Sequence, residues 1–169
     1  MRTRDHQEKK TEFARIKLGL DRLGASFIYI DEYSMYASDI KPYAWKTQGE
    51  QGALIVPHRG KALKMIAAVS ESKLVHLQVL EDKVKAEHFV AFMEELAAIA
   101  EVDPSIDNRT LIYFADGAPI HTAKVVHEHV RKAGLRMLIN VAYTPEFNPA
   151  EAFIAAHKVC IRRRLATHR

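Results

Sequence analysis

"TLIYFADGAPIHTAK", residues 110–124, is the stretch on which the fold turns. Leu111, Ile112, Tyr113 and Phe114 form a short apolar, β-prone run of the kind buried inside a sheet. The run stops at Asp116, Gly117 follows, and the next residues take up a helical pattern. A strand therefore hands over to a helix, and an aspartate stands at the junction. Asp-Gly is a common turn pair, so turn chemistry alone accounts for it. A carboxylate at a strand end is also well placed for chemistry, and its neighbours in the chain decide between the two.

Working outward, the spacing of Phe89, Phe92, Met93, Leu96 and Ile99 predicts a helix over "KAEHFVAFMEELAAIAE", residues 85–101, lying on a sheet. Before it, "ALKMIAAVSE" and "KLVHLQVLED" read as two strands joined in a hairpin at Ser70–Lys73. "SFIYI", 26–30, is a strand ending at Asp31 and Glu32. Residues 5–24 form a lead-in helix with a weak stripe of Phe13, Ile16, Leu20 and Leu23, closed by Gly24. The segment 33–62 is irregular, with a short strand at "YAWKT", a core Trp45, and a Gly-rich basic loop "GEQGALIVPHRGK". Downstream come a helix from about Thr122 to Ala133, with Val125, Val126, His129 and Val130 on one side, then the strand "RMLINVA" and a last helix to about Leu165. The order β-β-β-α-β-α-β-α implies an α/β fold, a mixed five-stranded sheet with three antiparallel strands first, flanked by helices.

At 169 residues, with 48% hydrophobic and 27% charged residues, one compact domain is expected. No stretch approaches the ~20 apolar residues of a membrane span, and the N-terminus lacks the apolar centre of a secretory signal. One cysteine, Cys160, excludes an internal disulfide and a Cys-based zinc site and fits a reducing, intracellular setting. Its expected place is buried on a helix. His127 and His129 stand two apart, not the i, i+4 of a helical zinc pair. The balance of 25 Lys and Arg against 21 Asp and Glu gives only +4, but Lys158, Arg162, Arg163, Arg164 and Arg169 gather at the C-terminal end, where they suit phosphate backbones or a helix terminus.

A third acid, Glu151, follows Asn148-Pro149, which reads as an N-cap and first helical turn. If the strands ending at Asp31 and Asp116 are neighbours, both carboxylates emerge at one sheet edge and Glu151 approaches from the side. Three carboxylates so gathered repel one another unless a cation joins them. Hard oxygen donors on rigid elements suit Mg²⁺ or Mn²⁺.

"FIYIDE", "YFADGAPIHTA" and "AYTPEFNPAEAFIAAHK" resemble the three signature blocks of the mariner-like DDE transposases, and thirty-four residues separate Asp116 from Glu151, the spacing of that group. The resemblance runs from about Phe27 to Leu165. It implies an RNase H-like (retroviral-integrase) fold over residues 26–169, with Asp31, Asp116 and Glu151 as catalytic triad and ligands of two Mg²⁺ or Mn²⁺ ions. The implied activity is DNA strand cleavage and strand transfer on transposon ends and target DNA, with a homodimer as a possible working form. It implies a nuclear location in a eukaryote, or the cytoplasm and nucleoid in a bacterium. His121 matches the family's "IH" step and is expected to touch a phosphate or orient the site; Lys158 and Arg162 share the helical face of Glu151 and are expected to guide DNA. The chain departs from the family at Gly117, where Asn is usual, and at Phe153 and Ile154, where a Trp is usual. The helix-turn-helix region with which such transposases grip DNA is not among these residues; residues 5–24 match the connecting helix. A non-catalytic, domesticated nucleic-acid-binding or assembly subunit is the alternative reading, and an RNase H or junction resolvase on the same fold a third.

Overall fold

The computed structural model describes residues 2–36, 61–142 and 144–167. The expected strand at 43–47, Trp45 and the loop beginning at Gly49 lie outside the described residues. The elements are α1 (Arg2–Arg22), β1 (Ser26–Met35), β2 (Leu63–Val69), β3 (Leu74–Leu80), α2 (Ala86–Val102), β4 (Leu111–Ala115), α3 (Lys124–Lys132), β5 (Met137–Ile139), a 3-10 turn (Pro145–Phe147) and α4 (Ala150–Thr167).

The five strands form one sheet in the order β3-β2-β1-β4-β5. β1 pairs antiparallel with β2, and β2 with β3, through a tight turn in which the Ser70 N–H donates to Lys73 O at 2.9 Å. β4 lies parallel to β1 and β5 parallel to β4. This is the mixed sheet the element order implies.

Side-chain alternation splits the core between the two faces of the sheet. On one face Ile28, Ile30, Ile66, Ala68, Tyr113 and Ala115 pack against Phe89, Phe92, Met93 and Leu96 of α2 and Val126 of α3. On the other, Phe27, Tyr29, Ile112 and Phe114 meet Phe13 of α1 and Ala150 of α4. Farther along that second face Tyr33, Met65 and Ala67 meet Ile154 of α4. Each fully buried Phe or Leu in these layers contributes roughly 1.5–3 kcal/mol of transfer free energy, which offsets the cost of ordering the chain.

β1 runs five residues beyond its expected end. Asp31 and Glu32 read as a strand terminator, yet they pair in register with Ala67 and Ile66 of β2. Cross-strand pairing overrides their low β-propensity. β4 stops at Ala115, so the two acids stand where β1 keeps its neighbour on one side only. Smaller differences follow from burial: Ile16 and Leu23 of the expected stripe are exposed, and Val125 is exposed where α3 begins two residues late.

Candidate active site

The parallel register of β1 and β4 brings two of the three acids together. Tyr29 pairs with Phe114, so two residues farther on, Asp31 within β1 comes abreast of Asp116 just past the end of β4. Alternation turns Asp31 to the face of Phe27, Tyr29 and Tyr33, the face that α4 covers. Glu151 sits in the first turn of α4, next to Ala150, which is buried in the same cluster as Phe114. A pocket of about 470 Å³ results, lined by Asp31, Asp116, Gly117, Asn140, Asn148 and Glu151. The carboxylates enter it from separate elements without meeting at a point: among the described residues no three His, Cys, Asp or Glu side chains converge as the ligands of one ion do. A cavity of about 540 Å³ between α2 and α3 contains none of the three.

Asp31 is the strained member. Burial first, then the charge of Glu32, with smaller contributions from Asp116 and Glu151, push its carboxyl up to about 7. The Glu32 N–H opposes this by donating to Asp31 Oδ1 at 2.8 Å. Asp116 is held below the ordinary carboxylate range, chiefly by its hydrogen bond with His121, with the Ala118 N–H donating to Oδ1 at 3.0 Å. Two neighbouring carboxylates, one in β1 and one just past β4, are thus shifted in opposite directions.

His121 is 0% exposed. Its Nδ1 lies 2.7 Å from Asp116 Oδ1 and its Nε2 2.6 Å from Glu32 Oε1, and its ring centroid is 4.4 Å from that of Phe89. Burial lowers its proton affinity, but the hydrogen bonds to Asp116 and Glu32 carry it up to about 10, so the ring is an imidazolium at neutral pH. The expected contact of His121 with a DNA phosphate is corrected here: the ring is sealed behind the pocket, because both of its nitrogens are drawn inward to carboxylates. Lys158 stands half-buried with its Nζ 5.4 Å from the Tyr33 ring centroid, and Arg162 is exposed farther along α4; neither lines the acid pocket. Cys160 is exposed on α4, contrary to the expected buried thiol.

Asn148 does more than its expected capping. Its Oδ1 accepts the Ala150 N–H at 3.2 Å, as an N-cap does, while its Nδ2 points to Asp31 Oδ2 at 3.4 Å. One buried side chain thus ties the start of α4 to β1. Asn140 carries no distinguishing signal in the sequence; its side chain bonds Thr144 O at 2.8 Å and Thr144 Oγ1 at 2.9 Å, closing the loop that walls the pocket. Glu32 reads in the sequence as no more than a strand-end acid. Its signal is positional: residues 31 and 32 of one strand must face opposite sides of the sheet.

A family model described as DDE superfamily endonuclease matches residues 26–168. The chain belongs to that superfamily. Among solved structures, this DDE endonuclease chain is similar to the Mos1 transposase paired-end complex with left transposon end, at TM-score 0.73 and 19% identity over 94% of this chain and 49% of that one. It is similar to the catalytic domain of Mos1 mariner transposase at TM-score 0.64 and 16% identity, over 93% of this chain and 72% of that one. The fold is therefore the RNase H-like fold of that catalytic domain, and the chain spans about half of the full Mos1 chains. A sequence named proline–tRNA ligase from Streptococcus suis is 29% identical over 135 residues, 79% of this chain but 22% of that protein. That likeness concerns about a fifth of the ligase.

Proposed function

We propose that this DDE endonuclease is a transposase-type catalytic domain that cleaves DNA strands and transfers them, with Asp31, Asp116 and Glu151 holding two Mg²⁺ or Mn²⁺ ions. The observation that carries this reading is the parallel register of β1 and β4, which brings Asp116, one residue past the end of β4, level with Asp31, with Glu151 lining the same pocket. The donor set fits hard cations. All three are carboxylates, each oxygen has spare acceptor capacity, and Asp31 is pushed to about 7 by burial first and by neighbouring negative charge second, both of which a bound cation would offset. Glu151 is exposed on the first turn of α4 and has the side-chain freedom to close on an ion. Mos1 has been solved with Mn and with Mg.

Bound there, the ions would supply Lewis acidity to the attacking and departing oxygens of an in-line displacement at phosphorus. The protein's own part is to position the acids: His121 and the Ala118 N–H hold Asp116 ionised, and the Glu32 N–H donates to Asp31 and partly offsets the burial that favours its protonated form. Lys158 and Arg162 lie on α4, which carries Glu151 in its first turn, and would neutralise backbone phosphates leading to the pocket. The DNA partners of this reading are transposon ends and target.

Nicking of supercoiled plasmid tests it. Wild-type protein should nick with Mg²⁺ or Mn²⁺ and not with Ca²⁺, and Asp116→Ala should lose the activity. No nicking by either protein would favour the non-catalytic subunit instead.

A further inference from the structure

The proposed triad leaves Glu32 and His121 unexplained. A sealed imidazole between two carboxylates costs desolvation that an apolar pair of the same volume would avoid. Glu32 is the immediate neighbour of Asp31, yet strand alternation sends it through to the α2 face, where its Oε1 meets His121 Nε2 at 2.6 Å. His121 reaches back across to Asp116 Oδ1 at 2.7 Å and to Asp116 O at 3.0 Å. Its own N–H donates to Ala118 O at 3.0 Å, while the Ala118 N–H donates to the same Asp116 Oδ1. Phe89 closes the ring in from α2.

We propose that Glu32 and His121 are positioning residues that fix the Asp116 carboxylate from behind, committing Oδ1 to the protein and presenting Oδ2 to the pocket. This rests on the assignment of Asp116 as an ion ligand. A free Asp side chain spreads over several rotamers, and the loop 116–123 carries it past the end of β4 with no strand to stiffen it. Two donors on one oxygen, one of them braced by Glu32, remove that freedom before any ion arrives. The "DE" step in β1 then has two jobs on one strand: Asp31 enters the pocket, and Glu32 braces the acid beside it.

The test is titration with Mn²⁺ alone, followed by calorimetry, with folding checked by thermal melting. Four proteins are compared: wild type, Asp31→Asn, Glu32→Gln, and the double variant Glu32→Met/His121→Phe. The double variant replaces the buried Glu32–His121 pair with apolar groups of similar size, so it should fold: Asp116 loses an ion-pair partner but its side chain is half exposed and keeps the Ala118 N–H. It should bind Mn²⁺ 10–100-fold more weakly, the usual cost of losing groups that orient a ligand. Asp31→Asn takes away an ion ligand itself and should abolish binding. Glu32→Gln keeps an oxygen that accepts from Nε2 and should stay within about threefold of wild type. In the nicking assay the double variant should lower kcat and leave KM for DNA unchanged. Wild-type affinity in a folded double variant would overturn the positioning role while leaving the ion site intact. Failure of wild type itself to bind Mn²⁺ would overturn the site assignment, and this proposal with it.

Discussion

Asp31→Asn should stabilise the ion-free protein at pH 8 and do far less at pH 5. The folded carboxyl of Asp31 is pushed up to about 7 from an ordinary 3.8, so the native state keeps a proton that the unfolded chain releases. Stability from that proton is fully present below the unfolded value and disappears as pH rises through about 7. Over the whole interval the difference amounts to roughly 4 kcal/mol, an upper figure because the pocket is open to water. Between pH 5 and pH 8 it amounts to roughly 1–3 kcal/mol. The substituted asparagine cannot ionise. It keeps an oxygen for the Glu32 N–H but turns an amide toward Asn148 Nδ2, now 3.4 Å from Asp31 Oδ2, which costs about 1 kcal/mol at either pH. That cost cancels in the pH comparison. Urea unfolding in a chelator should therefore find the stability of the variant relative to wild type rising by roughly 1–3 kcal/mol from pH 5 to pH 8. Added Mn²⁺ should reverse the order, since wild type gains about 2.7 kcal/mol at a hundred times Kd and the variant gains little. A gap between the two proteins that does not change with pH would refute the claim that burial and neighbouring negative charge raise the Asp31 carboxyl.

Other substitutions test the supports. Asn148→Ala removes an N-cap and the side chain tying α4 to β1, and should cost ~1 kcal/mol in urea unfolding and weaken Mn²⁺ binding. Phe13→Ala should cost about 3–5 kcal/mol in the same unfolding measurement, because that ring packs on Phe114 and Phe147 on either side of the second core face. Gly117→Asn should be tolerated within ~0.5 kcal/mol, since a Cβ there would meet Asn140 O at 3.5 Å, an ordinary approach; a large drop in thermal melting would contradict this. Arg162→Glu and Lys158→Glu should weaken DNA binding irrespective of sequence and lower the slope of log K against log salt by about one for each phosphate that goes unneutralised.

Much of this architecture is legible from patterning. The helical period at Phe89, Phe92, Met93 and Leu96 and the apolar run at Leu111–Phe114 each mark a buried surface, and such surfaces dictate where elements pack. The alignment of Asp31 with Asp116 follows from supposing their strands adjacent and parallel. The true end of β1 is hidden because the pairing of Asp31 and Glu32 with β2 is a tertiary fact that polar residues do not announce. His121 looks, in the sequence, like a group near a helix start. Only the partner 89 residues away, Glu32, explains its burial, and no local spacing encodes that pair. The exposure of Cys160 is hidden for a related reason: α4 alternates covered and open faces, and its pattern, with Ile154 buried and Val159 exposed, is too weak to say which is which.

The most direct test of the central claim is a crystal of the protein soaked in Mn²⁺, with anomalous differences recorded at the manganese edge. Peaks within about 2.0–2.3 Å of carboxylate oxygens of Asp31, Asp116 and Glu151 are the expected result. Full occupancy of manganese elsewhere on the protein, with this pocket bare, would contradict it.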